Sequence, residues 1–475
     1  MVDRALWTPQ ELIAATGGTL YGAIAQPING VSIDSRNLAP GDVFVAITGD
    51  VHDGHQFVVN ALKAGAGVAL VSRPTDAMNM AGPVLVVADD PLRGLENMGR
   101  AARAWNKGKV VAVTGSVGKT STKEMLRVAL SASGSTHASA ASFNNHWGVP
   151  LTLSRMGRDV AFGVFEIGMN HAGEITPLVK MVKPHIAIIT TIAASHLGHF
   201  KSLHDIAEAK AEIFSGLTAD GTAVINRDSE FYDFLAGQAT AAGVRNIISF
   251  GKHEKADVRL KQLALHPTCC CISADVMGEA VAFKLGVPGA HMALNSLAVL
   301  AAVKLSGADL ARAALALADA APPKGRGVQE FLEIKNGNFL LLDESYNANP
   351  ESMAAALALL STAAKGRKGR RIAVLGDMLE LGAFGPDLHK GLLKSLEENH
   401  IDRVYAAGPL MQNLWGLLPG LRQGKHALQS VDLIPALIRE LQPGDSVVIK
   451  GSLGSKMGLV VEALRKQFQP AMKDS

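Results

Sequence analysis

One stretch decides the fold: Val110-Val-Ala-Val-Thr-Gly-Ser-Val-Gly-Lys-Thr-Ser121. An unbroken apolar run, typical of a buried parallel strand, leads into a glycine-rich turn, and a lysine and hydroxyl residues follow where a helix should begin. Glycines let backbone N–H groups approach phosphate oxygens closely, and the start of a helix adds positive potential. The stretch therefore predicts a strand, a phosphate-binding turn and a helix, and with them a site for a nucleotide triphosphate.

The spacing is a shortened form of the usual phosphate-binding loop. The longer form has a further glycine where Val113 stands, and Gly115 supplies the flexibility here. Lys119 is expected to reach the terminal phosphates, and the hydroxyl of Thr120 is suited to Mg²⁺. The alternative is an ordinary strand, turn and helix with two turn glycines, but the coincidence of lysine, threonine and strand favours the nucleotide site.

Composition excludes several classes of protein. At 475 residues the chain is too long for one core, and two to four domains are expected. The 46 lysines and arginines barely exceed the 43 aspartates and glutamates, so no overall field favours nucleic acid. The three cysteines, Cys269, Cys270 and Cys271, are adjacent and fit neither a disulfide framework nor a zinc site. No apolar run is long enough to span a bilayer and no signal segment is visible, so we expect a cytoplasmic protein without membrane insertion.

Strand and helix patterns divide the chain into three predicted α/β domains, covering residues 1–107, 108–321 and 322–475. The first carries short β segments and lacks a nucleotide loop. The second alternates apolar strands with helices, as in a parallel sheet covered on both faces. Its strands are predicted at residues 110–113, 162–166 and 185–192. The third, after a Pro/Gly-rich break at 320–327, repeats strand, polar loop and helix around strands at 339–342, 371–375, 403–406 and 446–449, without a dinucleotide fingerprint.

Polar residues follow the strands of the second domain. Ligands of parallel sheets gather at the carboxyl ends of the strands, so the nucleotide loop, Glu166 and His196 should converge. Glu166 ends an apolar strand, where an unpaired carboxylate is costly, and a metal or a basic partner would offset that cost. His196 is a plausible ligand for a second Mg²⁺, although a histidine after a strand is more often structural and Mg²⁺ prefers oxygen.

Lys210 lies on the apolar stripe of a helix predicted over residues 202–217. Lysine is rarely buried unless it is paired, and its long stem can carry the ammonium group out to solvent. The chemical alternative is that a desolvated lysine loses its proton, reacts with CO₂ and becomes an anionic carbamate that binds metal. The spacing leaves both interpretations of Lys210 open.

Three polar residues further along the chain are suited to contacts with a nucleotide. Asn295 could bind an adenine or ribose edge but could equally cap a helix. Arg326 could bind a phosphate, and Asp343 could accept a hydrogen bond from a ribose hydroxyl.

These residues, taken in order, resemble the ATP-dependent Mur ligases of peptidoglycan synthesis over nearly the whole chain. The matching segments are TGSVGKTS, Phe143-Asn-Asn-His-Trp-Gly-Val-Pro150, Phe165-Glu-Ile-Gly-Met-Asn-His171, Ala194-Ser-His196, Ala209-Lys-Ala-Glu-Ile-Phe214, His291 with Asn295, Gly325-Arg326 and Asp343. Within the family, the segments 341–350 and 375–382 are similar to the members that add D-alanyl-D-alanine to UDP-N-acetylmuramoyl-tripeptide. Glu344 departs from a frequent aspartate but keeps the charge.

The resemblance implies a role for each matching position. The first domain would be the UDP-substrate domain, the second a P-loop ATPase domain with two Mg²⁺ ions, and the third a Rossmann-like domain. Nucleotide contacts would come from Thr114, Gly115, Ser116, Val117, Gly118, Lys119, Thr120, Ser121, Asn295, Arg326 and Asp343. Metal ligands would be Thr120, Glu166, His196 and carbamylated Lys210; together with Lys119, the last three would form the catalytic set. Substrate contacts would be Ser35, Arg36, Asn144, Asn145, Tyr346, Asn347 and Asp377.

The expected activity is ATP-dependent amide formation through an acyl phosphate, in cytoplasmic precursor synthesis for the cell wall, by a monomer that acts on small molecules. Two alternatives remain open at this point. One is a related ligase with another acceptor, such as a diaminopimelate- or lysine-adding enzyme or a folylpolyglutamate synthase. The other is a nucleotide-dependent switch that hydrolyses ATP without an amine acceptor and has no need of Lys210 or Arg326. A nucleic-acid motor is disfavoured by the balanced charge and the scarcity of aromatic residues.

Overall fold

The computed structural model describes residues 5–49, 51–140 and 142–471, and within them three sheets follow one another along the chain. This confirms the predicted α/β class with three sheet-containing units, while the domain boundaries at 107 and 321 stay predictions. Among the described residues, no helix is long and apolar enough to cross a membrane.

The first sheet has the strand order β1-β5-β4-β3-β2 and is parallel except for β1, which runs antiparallel to β5. Its strands are β1 Thr19–Tyr21, β2 Val31–Ser32, β3 Val43–Val45, β4 Val68–Val71 and β5 Val84–Val86. Its helices are α1 Pro9–Thr16, α2 Val58–Lys63, α3 Asp76–Ala81 and α4 Pro91–Trp105. Polar residues begin three of these helices, α1, α3 and α4: the side chains of Thr8, Thr75 and Asp90 each accept a hydrogen bond from a backbone N–H of the first turn.

The central sheet has the order β14-β13-β12-β11-β10-β9-β6-β8-β7. Its strands are β6 Lys109–Thr114, β7 Thr136–Ala138, β8 Phe162–Glu166, β9 Ile186–Ile189, β10 Thr222–Asn226, β11 Asn246–Gly251, β12 Val258–Leu265, β13 Cys270–Val276 and β14 Glu279–Leu285. Its helices are α5 Lys119–Ser131, α6 Gly148–Ser154, α7 Ile175–Val182, α8 Leu203–Ala211, α9 Tyr232–Ala241, α10 Ala290–Leu305 and α11 Leu310–Ala316.

Strand β6 explains why this sheet is covered on both faces. Val111 and Val113 pack into one apolar cluster with α5 and α10, whereas Val110 and Ala112 pack into a second cluster with α7 and α8. Strands β6 to β12 pair in parallel, as predicted, but β13 is antiparallel to both β12 and β14. These last strands alternate buried with partly or fully exposed residues, the pattern of a sheet with one solvated face.

Two predicted elements are shorter than expected. Strand β9 ends at Ile189 rather than at residue 192, because Thr190 turns towards the nucleotide loop and donates its hydroxyl to the Val117 carbonyl at 2.6 Å. The helix predicted over residues 202–217 is α-helical only over α8 and then tightens into a 3₁₀ turn, Glu212–Gly216. Ser202 is its N-cap, since the serine hydroxyl accepts a hydrogen bond from the Asp205 N–H.

The third sheet has the order β15-β16-β20-β17-β18-β19, parallel except for β15 against β16. Its strands are β15 Val328–Ile334, β16 Gly337–Glu344, β17 Arg371–Gly376, β18 Arg403–Ala407, β19 Gln423–Ala427 and β20 Ser446–Lys450. Its helices are α12 Pro350–Ala363, α13 Gly385–Glu398, α14 Gln412–Trp415, α15 Ile434–Glu440 and α16 Gly458–Gln467. The four strands predicted for this part of the chain are β16, β17, β18 and β20.

The first and central units are joined through a buried tryptophan. The indole N–H of Trp7 donates to the Ser154 carbonyl of α6 at 2.8 Å, and its ring lies 4.6 Å from that of Trp105. Arg158 covers Trp105, with its guanidinium 3.7 Å from the ring centroid, and pairs with Glu11 at 2.6 Å. Burial of the Trp7 ring and the hydrogen bond from its indole N–H therefore both stabilise the contact between the first and central units.

We predict that Trp7→Ala lowers the free energy of unfolding by about 3 to 5 kcal/mol, because it removes a large buried ring and leaves a cavity. Trp7 is 1% exposed, whereas Leu421, the control, is 91% exposed. Leu421→Ala should change stability by less than about 0.5 kcal/mol. Urea unfolding followed by circular dichroism measures both, and equal midpoints for the two variants would contradict the role given to Trp7.

Candidate active site

The nucleotide loop has the backbone that its glycines predict. Gly115 and Gly118 have φ of 147° and 88°, in the region that favours glycine. A Cβ on Gly115 would lie 1.9 Å from the Thr190 hydroxyl, and one on Gly118 would lie 2.5 Å from the amide nitrogen of Asn295. Both positions therefore exclude a side chain, and Asn295 on α10 lies directly against the loop, while its nucleotide contact stays a prediction.

Lys119 begins α5 and folds back over the loop. Its ammonium group donates to the Gly115 carbonyl at 2.7 Å. Burial lowers the pKa of Lys119, while the nearby Glu166 carboxylate raises it and Arg326 lowers it further. Two cations therefore lie close to one carboxylate at the loop, which is an environment suited to an anionic ligand.

Glu166 ends β8 and is buried. The amide of Asn144 donates to Glu166 Oε1 at 2.7 Å. Its second oxygen, Oε2, and the hydroxyl of Thr120 are both buried without a hydrogen-bond partner among the described residues. A buried oxygen without a partner is unfavourable. A hard cation bound at the phosphate loop would coordinate these two oxygens and remove that cost. The described residues contain no cluster of three or more His, Cys, Asp or Glu able to hold a metal, so water or phosphate oxygens would complete its coordination.

His196 lies beyond β9 in the left-handed backbone region, with φ of 59°. Its Nδ1 is 2.6 Å from a carboxylate oxygen of Glu380, which belongs to the third unit. That hydrogen bond lowers the pKa of the Glu380 carboxyl. A carboxylate on one ring nitrogen orients a histidine so that the other nitrogen is available as a ligand.

Lys210 is 1% exposed, so its stem does not carry the ammonium group to solvent. No hydrogen bond or ion pair to the Lys210 ammonium group occurs within the described part of the chain. Burial, together with the charge of Lys119, places the pKa of Lys210 well below its ordinary value. Of the two interpretations of Lys210, its burial removes the solvated one and favours the uncharged form of the amine.

A cavity of about 440 Å³ joins the central and third units. From the central unit it is lined by residues 116–121, Asn144, Glu166, His196, His291 and Asn295, and from the third by Arg326, Glu344, Tyr346, Asn347 and Lys450. Arg326 stacks on Tyr346, with its guanidinium 4.2 Å from the ring centroid, and reaches the Ser142 hydroxyl at 3.4 Å. Most of the predicted nucleotide, metal and substrate residues therefore meet in one space.

A second cavity, of about 580 Å³, shares Thr120, Ser142, Arg326 and Tyr346 with the first and extends between α5 and α16. Asp343 lines this second cavity. Its carboxylate accepts from the Ser345 hydroxyl at 2.6 Å and pairs with Arg465 at 3.2 Å. The predicted ribose contact is thus beside the nucleotide loop, although its carboxylate already has two partners.

Four other predicted substrate residues lie outside both cavities, and their roles stay predictions. Asp377 is buried and accepts from the backbone N–H groups of Leu410 and Met411. Asn145 accepts from the N–H groups that begin α6. Ser35 and Arg36 form a surface turn in the first unit, where Arg36 pairs with Asp34 at 2.8 Å.

Sequence reasoning missed two residues of the site, Glu380 and Lys450. Lys450 is buried at the end of β20, where it pairs with Glu344 at 3.2 Å. Both follow the same signal that identified Glu166, a charged residue at or just beyond the end of a strand in a parallel sheet.

Three family descriptions match successive parts of the chain: the Mur ligase family catalytic domain at residues 27–125, the Mur ligase middle domain at 113–303, and the Mur ligase glutamate ligase domain at 330–453. The chain belongs to the Mur ligase family. As a Mur ligase it is an ATP-dependent, ADP-forming enzyme, in agreement with the loop geometry.

Individual relatives cover the Mur ligase chain almost completely. The UDP-N-acetylmuramoyl-tripeptide--D-alanyl-D-alanine ligase of Escherichia coli strain K12 is 36% identical over 97% of this chain and 98% of its own. The crystal structure of MurF from Acinetobacter baumannii matches with a TM-score of 0.84 and 32% identity, over 97% of this chain and 99% of that one. MurF ligase from Thermotoga maritima, solved in complex with ADP, matches with a TM-score of 0.74 and 26% identity, over 92% and 97%.

We predict that Gly118→Ala weakens binding of an ATP analogue at least about tenfold, because the new methyl group meets Asn295 and the backbone strain distorts the loop. Gly243 is the control: it has a similar φ of 85°, but a Cβ there would meet nothing within 4 Å. Gly243→Ala should bear the same backbone strain with unchanged nucleotide affinity. Isothermal titration calorimetry compares them, and equal affinity for the two variants would contradict the crowding at Gly118.

Proposed function

We propose that this Mur ligase joins D-alanyl-D-alanine to UDP-N-acetylmuramoyl-tripeptide and converts ATP to ADP and phosphate. The near-complete match to ligases named for that reaction is the observation that carries the choice of substrates. The cavity supports the chemistry, since it combines a phosphate loop with polar side chains from a second unit. In this proposal the enzyme acts as a cytoplasmic monomer in cell-wall precursor synthesis.

The first step follows from the charge of the substrate. A carboxylate is a poor electrophile, so the terminal carboxylate of the tripeptide attacks the γ-phosphorus of ATP, the bond to ADP breaks and an acyl phosphate forms. Lys119 and Arg326 lie where they can neutralise charge on the transferring group. Asn295 beside Gly118 and Asp343 in the second cavity are proposed to hold the adenosine part.

Two Mg²⁺ ions are proposed on the chain's own donors. Thr120 and Glu166 would hold one, since each has a buried oxygen without a partner among the described residues. His196 would hold the other through the ring nitrogen that Glu380 leaves available, together with carbamylated Lys210. Bound metal would offset the charge of the phosphates and help to align them.

Carbamylation of Lys210 fits its surroundings. The neutral amine attacks the carbon of CO₂, a C–N bond forms and one proton is released, so that a carbamate anion replaces the amine. Burial favours the uncharged amine, which is the form that reacts with CO₂, and no partner within the described residues occupies it. Conversion to an anion would also place a negative charge near Lys119, whose own charge disfavours a cation at Lys210.

The second step needs a dry site. The amine of D-alanyl-D-alanine attacks the acyl carbon and phosphate leaves through a tetrahedral intermediate. Because acyl phosphates hydrolyse readily, the third unit must cover the cavity, and residues 320–327 are the proposed hinge. Gly325 and Gly327 in this hinge have φ of 72° and 99°.

The predicted substrate residues are proposed to contact three parts of the substrates. The acceptor would contact Tyr346, Asn347 and Asp377. The tripeptide end would contact Asn144 and Asn145, and the UDP end would contact Ser35 and Arg36.

The test of the substrates is an acceptor comparison. Purified protein receives ATP, Mg²⁺ and UDP-N-acetylmuramoyl-tripeptide with either D-alanyl-D-alanine or diaminopimelate, and phosphate release and product mass are measured. We expect release and a pentapeptide product only with the dipeptide. Turnover with diaminopimelate alone, or ATP hydrolysis that needs no acceptor, would overturn the proposal.

For the carbamate we predict that Lys210→Ala abolishes turnover and that added short carboxylates partly restore it, because they replace the missing anion. The control is Lys201→Ala, which alters an exposed lysine just before α8 and should leave turnover unchanged. Steady-state phosphate release measures both variants, with thermal unfolding as the check on folding. Normal turnover in Lys210→Ala would show that the carbamate role is wrong.

A further inference from the structure

The cavity contains one cation without a role in phosphate chemistry. Apart from histidines, the basic residues that line it within the described chain are Lys119, Arg326 and Lys450. The first two lie at the nucleotide loop. Lys450 lies on the wall contributed by the third unit, with Tyr346 and Asn347, and is 3% exposed.

Lys450 is held in place by two bonds. Strands β16 and β20 pair in parallel with Glu344 opposite Lys450, and the ammonium group donates to Glu344 Oε2 at 3.2 Å. It also donates to the Asn347 carbonyl at 2.9 Å. An ammonium group has three N–H donors, so one remains for a ligand. A buried lysine fixed in this way is a preorganised donor rather than a mobile surface charge.

The proposed acceptor has a charge that needs such a donor. A dipeptide carries a carboxylate at the end opposite its reacting amine, and an extended dipeptide spans at most about 7 Å. The carboxylate must therefore enter the same closed cavity as the amine, away from the phosphates. A carboxylate buried without a partner is costly. The N-terminus of α12, with Asn349 and Ser352, lines this wall and adds favourable potential for an anion, while the Glu351 carboxylate in the same turn is exposed and therefore screened by solvent.

We infer that Lys450 binds the terminal carboxylate of the incoming dipeptide and selects acceptors that carry it. The inference rests on the proposed function and extends it, since it gives the acceptor side of the cavity a specificity residue. Glu344 holds the ammonium group at the end of β20, and the third N–H completes a charge-assisted hydrogen bond to the substrate. Lys450 takes no part in making the acyl phosphate.

The experiment compares D-alanyl-D-alanine with its C-terminal amide, which keeps the amine and removes the charge. Wild-type enzyme should show a KM for the amide about 10- to 100-fold higher, as expected for loss of a charged hydrogen bond. In Lys450→Gln the KM for the dipeptide should rise to about that of the amide, so that the ratio falls towards one. The kcat at saturating acceptor should change far less than KM.

Two further variants isolate the charge. The double change Lys450→Gln with Glu344→Gln does not leave the Glu344 carboxylate without its partner, and it should lose the discrimination while the fold is kept. Lys394→Gln, which alters an exposed lysine paired with Glu398 in the same unit, should keep the wild-type ratio. A residue that only supports the wall would raise both KM values together, and that outcome overturns the inference.

The remaining outcomes are equally decisive. A wild-type enzyme that uses acid and amide equally well would exclude Lys450 as a carboxylate ligand while leaving the proposed reaction intact. Retained discrimination in the folded double variant would do the same. Failure of the wild-type enzyme to use the dipeptide at all would contradict the proposed function and the inference with it.

Discussion

The site depends on a carboxylate that the fold buries without fully satisfying it. Glu166 ends β8, a fully buried strand beside the edge strand β7 of the central sheet, and only one of its oxygens has a hydrogen-bond partner among the described residues, the amide of Asn144. The partnerless hydroxyl of Thr120 and the folded-back ammonium of Lys119 line the same cavity, and the buried amine of Lys210 is close enough to Lys119 to feel its charge. Buried polar atoms without partners are unfavourable in the empty site, but a bound cation and phosphate would satisfy them. We therefore interpret this free-energy cost as part of the binding site.

Completion of the site by the third unit is a second constraint. Arg326, Tyr346 and Lys450 line the cavity from that unit, and Glu380 reaches across to His196. The backbone meets there too, because the Gly198 N–H donates to the Glu380 carbonyl at 2.7 Å. A site divided in this way can be assembled only when the units are together, which suits a reaction whose intermediate must be kept from water.

Local sequence was sufficient for elements whose neighbours along the chain decide them. The strand and helix around the nucleotide loop, the apolar strands and the positions of Glu166 and Asn295 follow from periodicity and glycine placement. The lengths of strands were less predictable. Strand β9 ends at Ile189 because the hydroxyl of Thr190 donates a hydrogen bond to the carbonyl of Val117, more than 70 residues earlier in the chain. The antiparallel strands β13 and β14 were also missed, since a short apolar run does not reveal the direction of its partner.

The sequence by itself determined a phosphate-binding loop, an α/β architecture and a lysine on the apolar stripe of a helix with two possible roles, because each of these depends on residues close together in the chain. Only the tertiary structure decided that Lys210 is out of reach of solvent, that Asp343 is paired with Arg465, and that Glu380 and Lys450 belong to the site. The physical reason is common to all of them. Burial and charge pairing depend on which atoms are close in space. Most of the partners in this site are far apart in the chain, so the sequence pattern around each residue does not reveal them.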